Sequence, residues 1–292
     1  MWYGIGAYVS WGIFPLYWML LAGVPVLQVI SHRILWSSLL LAAWVAASGQ
    51  AAALLASIRR PGVLRAYASA AALIGINWFA FIWAVGAGYV VECSLGYFIN
   101  PLLSVLLAVF VLGEQLRRAQ WAAVAIAAAG VLYLTVAVGR IPWISLLLAT
   151  SFALYGLVKK RAPLGPVQGL TLETGILAPV ALALLLWSEH AGDGAFLHRD
   201  GLVTAMLFGA GAVTAAPLLM FATAAQSIPL LWVGILQYIA PSLQLAIGVF
   251  VFGEPFSHER LVGFALVWTA LVVFAVEGIV AHRASTLEPP PE

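Results

Sequence analysis

Charge is what this chain lacks most. Only 8% of its 292 residues are charged, against 64% apolar, and the mean hydropathy is +1.05. So little polar surface cannot coat a soluble globule of this length, and the chain is expected to live in lipid. Its net charge is +2, with no block of Lys or Arg interleaved with aromatics, which argues against a nucleic-acid partner. A single cysteine, Cys93, rules out an intrachain disulfide and reads as packing in an apolar run. There is no GxxxxGK followed by Ser or Thr, hence no nucleotide-driven pump. HExxH and GxSxG are missing as well, so the loop HAGDGAFLHRD, with His190, Asp193, His198 and Asp200, stands alone as a weak hint of a membrane-embedded enzyme. A channel would need repeated rings of charge. We therefore expect no enzyme, no metal and no cofactor. The first residues lack the basic region and cleavage site of a signal peptide, and are expected to stay as the first helix.

Apolar runs are what is present. Runs long enough to cross about 30 Å of hydrocarbon fall at 3–22, 28–49, 66–86, 89–112, 117–138, 141–159, 166–187, 201–224, 229–252 and 259–280. Without the alternation of a membrane β-barrel, they predict an all-α membrane protein of ten transmembrane helices. With the N-terminus inside, the cytoplasmic side holds nine Lys and Arg (Arg59, Arg60, Arg65, Arg117, Arg118, Lys159, Lys160, Arg161, Arg283) against Arg140, Arg199 and Arg260 outside. The tail 281–292 is polar and proline-rich, and is expected to be disordered.

One sentence is written twice. GYFINPLLSVLLAVFVLGE at 96–114 returns as LQYIAPSLQLAIGVFVFGE at 236–254, and between 99 and 114 eight of sixteen residues match at plus 140. The copies lie in helices four and nine, five apart, so they cross the membrane in opposite directions. Two inverted five-helix repeats follow, 1–138 and 139–280, an arrangement typical of alternating-access carriers with a midplane site.

Candidate site residues cluster on these copies. Pro101 and Pro241 fall near mid-span, where each removes a backbone bond and is expected to kink its helix. Tyr97, Asn100 and Ser104 recur at steps of three and four, and Gln237, Tyr238 and Gln244 stand at related places in the second copy. Trp11 and Tyr17 in the first helix, Asn77 and Trp78 in the third and Tyr155 in the sixth add aromatic and polar groups suited to an amphipathic solute. Each also reads as glue between helices. Trp2, Tyr3, Trp143 and Trp187, near span ends, read as interfacial anchors. Of the ionisable groups inside apolar segments, Arg33 and Glu92 are expected to form an ion pair and Glu173 to be a lone carboxylate for proton coupling; Glu277 is expected to reach water. Ala123 and Ala127 permit close packing either within the bundle or across a homodimer.

SWGIFPLYW, SHRILWS, NWFAFIWAV, ECSLGYFINPLLSVLLAVFVLGE and LQYIAPSLQLAIGVFVFGEPFS appear in order, and together they resemble the RarD group of EamA-type carriers, of the drug/metabolite transporter superfamily. The resemblance implies ten helices, cytoplasmic termini, a bacterial inner-membrane location and transport of small organic solutes such as amino acids, metabolites or drugs.

Overall fold

The structure, a computed structural model, describes residues 1–113, 116–227 and 236–287. Its elements are α1 (Trp2–Met19), α2 (Val26–Ala47), α3 (Ala51–Ile58), α4 (Val63–Gly86), α5 (Val90–Leu112), α6 (Arg118–Val138), α7 (Trp143–Arg161), α8 (Pro166–His190), α9 (Gly201–Ser227), α10 (Ile239–Ala246) and α11 (His258–Leu287). A π-helical turn, Ile247–Val251, extends α10. There is no strand among the described residues. Among the described residues seven helices, α2, α4, α5, α6, α8, α9 and α11, are long and apolar enough to cross a membrane.

Proline sets several starts. Pro25 and Pro142 stand at the N-caps of α2 and α7, and Pro166 opens α8, where the missing N–H costs nothing. The repeated Gly-Glu motif has a backbone reason: Gly113 (φ 71°) and Gly253 (φ 65°) both adopt the left-handed conformation that ends a helix. Phe110 and Phe250, also repeated, are 76% and 85% exposed, as lipid-facing side chains should be.

Two departures concern boundaries. The linker after α2 folds into α3, whose eight residues would rise only about 12 Å and so give no spanning signal in sequence. The last helix runs to Leu287, past residue 280 where the tail was placed; residues 288–292 lie outside the described set.

The main pairings are α6 with α11, α5 with α7, α2 with α8, α2 with α9, α4 with α7, α1 with α9, α1 with α10, α5 with α10 and α4 with α8. Exchange α1, α2, α4, α5 and α6 for α7, α8, α9, α10 and α11, and every pairing maps onto itself or onto another in the set. Where corresponding helices touch, they run antiparallel. Along α5 and α10, a Cβ on Gly248 would come within 3.0 Å of Val91, Ser94 donates to the Pro241 carbonyl at 2.7 Å, and Phe98 stacks on Tyr238. Along α6 and α11, Arg117 pairs with Glu277 while Leu134 lies against Gly263. Along α2 and α8, Gln28 bonds Ser188 while Gln50 bonds Gln168.

Ala123 and Ala127 are buried in the cluster of α6 with Phe264 and Val267 of α11, so their small-residue seam is used inside the bundle. A larger core holds Phe14, Trp18, Ile74, Trp78, Phe81 and Leu207.

Candidate functional site

Arg33 is the least expected occupant of that larger core. It lies two turns into α2 and is 4% exposed. Its guanidinium carbon stands 4.2 Å from the Trp78 ring centroid, 5.2 Å from that of Trp18 and 6.0 Å from that of Phe14. Nε donates to Thr214 Oγ1 at 2.8 Å, and Thr214 in turn donates to the Ala210 carbonyl. Helices α1, α2, α4 and α9 thus meet at one cation.

The expected pair between Arg33 and Glu92 does not form. Glu92, in the first turn of α5, instead binds Arg140 of the α6–α7 connection at 2.6 Å, near the end of the bundle where water screens both. Among the described residues no carboxylate pairs with Arg33: Glu277 holds Arg117, and Glu173 holds Lys159. Taking a cation out of water costs several kcal/mol, and an aromatic face returns about 0.5–2 kcal/mol.

Glu173 is not a lone carboxylate either. It is wholly buried in α8, where Lys159 donates to Oε1 at 2.6 Å and Tyr155 to Oε2 at 2.9 Å. Tyr155 and Lys159 are one helical step of four apart on α7, so the shared face was readable in the spacing.

Asn77 is committed to its neighbours. Its amide donates to the Leu148 carbonyl and to Ser151 Oγ, each at 3.0 Å, and Tyr97 OH approaches its Oδ1 at 3.4 Å. These bonds tie α4 to α7 and α5. Tyr17 donates to the Met206 carbonyl. Gln244 donates to the Trp11 carbonyl at 3.1 Å, and Trp11 packs against Tyr8 and Phe221. Two acceptors stay open: Gln244 Oε1 and Asn100 Oδ1 are buried without a partner. Ser104 is exposed, while Gln237 sits in a turn.

The prolines differ. Pro101 lies inside the continuous helix α5, whereas Pro241 falls in the first turn of α10, just after the turn at 237–238. There its missing N–H needs no helical partner, so the second copy is interrupted ahead of its proline.

In the α8–α9 loop Asp200 caps the amide of Val203 and His198 meets the Phe196 carbonyl, while Gln28 holds the backbone at Asp193 and Ala195. A hollow of about 30 Å³, room for little more than one water, lies elsewhere, between Leu95, Leu134, Arg140 and Arg260; of the expected site residues, Glu92 alone borders it. Sequence reasoning passed over Trp18, Phe14 and Thr214. Phe14 and Trp18 are four apart on α1, a spacing that could have grouped them.

Comparison with known proteins bears on the whole chain. The sequence profile of the EamA-like transporter family matches residues 1–136. The transporter YojE of Bacillus subtilis is 46% identical over 96% of this chain and 94% of its own length. Protein RarD of Streptomyces exfoliatus is 44% identical (97% and 90%), and RarD of Escherichia coli 38% (97% and 95%). A crystal structure of a protein 21% identical aligns with TM-score 0.60 over 93% of this chain and 95% of that one, which speaks for the fold alone. At such identities over nearly its full length, this integral membrane protein belongs to the EamA-like transporter family, in its RarD group.

Proposed function

We propose that the protein is a secondary carrier moving small organic solutes, such as amino acids, metabolites or drugs, across the bacterial inner membrane by alternating access. One observation carries the reading: related helices of the two halves pack antiparallel, α2 on α8, α5 on α10 and α6 on α11, and the pairings survive exchange of the halves. This supports ten spans in two inverted repeats, which would put both termini on one side; the excess of Lys and Arg assigns that side to the cytoplasm, and such carriers bind solute where the repeats meet.

The solute site in this reading lies among Trp11, Trp78, Tyr97, Asn100 and Gln244. The unpartnered carbonyl oxygens of Asn100 and Gln244 favour a ligand-facing role for those two. Asn77, Tyr17 and Tyr155, which already have partners, hold the wall in place. Glu173 keeps the role of coupling carboxylate: protonating it would release Lys159 and loosen α7 from α8. A homodimer, if formed, uses a face other than the seam of Ala123 and Ala127.

Sided labelling tests the architecture. Cys93 is fully buried and contributes little background. Cysteines at Leu116 and Ser257 are expected to react with an impermeant reagent from opposite sides of the membrane. Reaction of both from one side would overturn the inverted arrangement.

A further inference from the structure

The cage around Arg33 is built of donors that have nothing to donate to. Only Nε of the guanidinium has a hydrogen-bond partner among the described residues. Among the described residues the two terminal nitrogens have no hydrogen-bond partner, and they are not among the sealed unpartnered atoms, so each keeps some open surface. Trp18, whose ring lies against the same cation and which is 2% exposed, has an indole N–H that is buried without an acceptor. Donors gathered in an apolar interior, with no acceptor, are costly unless a ligand supplies one. Of the residues outside the described set, 228–235 read IPLLWVGI and carry no acid, and the acids there are Glu114, Glu288 and Glu292.

We propose that Arg33 receives the carboxylate of the transported solute, which makes small organic monocarboxylates the cargo class. This rests on the carrier reading and deepens it. The guanidinium fork matches a planar carboxylate with two parallel N–H···O bonds, and the Trp18 N–H can add a third. The charge count selects a monoanion. One buried cation neutralises one carboxylate, whereas a dicarboxylate or a phosphate dianion would leave excess negative charge in low dielectric. Trp78, Trp18 and Phe14 cover the cation and exclude water, which strengthens the pairing. Thr214, from the second half of the chain, holds Nε in place, so movement of α9 against α2 would turn the fork toward or away from the solute.

The test uses the full chain in lipid nanodiscs, reading tryptophan fluorescence and thermal unfolding during titration with sodium acetate, lactate and benzoate. The matching neutral amides and sodium chloride serve as controls. Saturable responses to at least one carboxylate are expected, with the paired amide and chloride at least tenfold weaker. Arg33→Lys keeps the charge but loses the fork, and is expected to weaken binding roughly tenfold; Arg33→Gln is expected to abolish it. Should Arg33→Gln fail to fold, the acid and amide comparison on the unaltered protein still decides. Equal response to acid and amide, an equal response to chloride, unchanged binding in Arg33→Gln, or no response to any carboxylate overturns the proposal. The two readings separate in proteoliposomes. Monocarboxylates that bind through Arg33 while no solute crosses sink the carrier reading and the cargo claim with it, and leave only the carboxylate site at Arg33 standing. A neutral solute that crosses at the same rate in Arg33→Gln does the reverse.

Discussion

Glu254 clamps the start of the helix that opens at Val90: its Oε1 accepts the Val90 amide at 2.6 Å and its Oε2 the Val91 amide at 2.9 Å. A carboxylate from the second copy of the repeated sentence thus caps the first copy, satisfying two of the orphan donors of α5 and meeting the positive end of its dipole. Burial pushes the Glu254 carboxyl up, and the two amide bonds pull it back down. The cap is on a partner helix, whereas a Gly-Glu ending suggests only the start of the following one. Glu254→Ala is expected to lower stability by roughly 1–3 kcal/mol by stranding both amides. Glu254→Gln keeps one acceptor and is expected to lose about half of that. Thermal unfolding in detergent reads both; an unchanged midpoint in Glu254→Ala would show that the clamp contributes nothing.

Gly211 sets the approach of α9 to α2. A Cβ there would lie 2.5 Å from Trp36 Cβ and 2.6 Å from its carbonyl carbon, so backbone would have to move. Alanine gains about 0.8–1.0 kcal/mol in helix propensity, yet overpacking of this kind costs roughly 1–3 kcal/mol. Gly211→Ala is therefore expected to be net destabilising, by up to about 2 kcal/mol, in the same unfolding assay. A stabilised variant would mean that the two helices have room to part.

Replacing Glu173 by glutamine leaves Lys159 without its anion. Breaking a fully buried pair costs roughly 3–5 kcal/mol, and the 23% exposure of the Lys159 side chain lets it reach water, which discounts the loss to about 1–3 kcal/mol. If Glu173 couples transport to protons, Glu173→Gln also flattens the response of uptake to an imposed pH gradient. Uptake that follows the gradient as in the unaltered protein would remove Glu173 from the coupling role and leave it a structural partner.

Asn100 and Gln244 separate solute contact from helix glue. Alanine at either is expected to weaken solute affinity by roughly 0.5–1.5 kcal/mol, about two- to tenfold, with membrane insertion intact and little change in unfolding. Normal transport by both variants would take them out of the site.

Much of the architecture could be read from spacing alone, because lipid forces helices and fixes their length. The repeat at plus 140 pointed to α5 and α10, and they do pack on one another antiparallel. What stayed hidden depended on side-chain direction and on partners far away in sequence. Arg33 and Glu92 looked like a pair because both sit in apolar runs near the same membrane face. Only folding shows Glu92 turning to Arg140, and Arg33 turning inward onto Trp78. Lys159 was counted as a cytoplasmic charge for the orientation rule, which says nothing of its reach back to Glu173. α3 escaped because eight apolar residues are too few to register as a span.

The carrier reading is tested most directly by exchange across proteoliposomes. Vesicles containing the protein, loaded with an extract of small metabolites, are placed in a heavy-isotope-labelled copy of the same extract, and both compartments are followed by mass spectrometry. The account predicts that one solute or a narrow set swaps label across the membrane faster than in empty vesicles, saturably and with its mass otherwise unchanged. Label crossing no faster than in empty vesicles for every solute, or emerging on a chemically altered molecule, would contradict it.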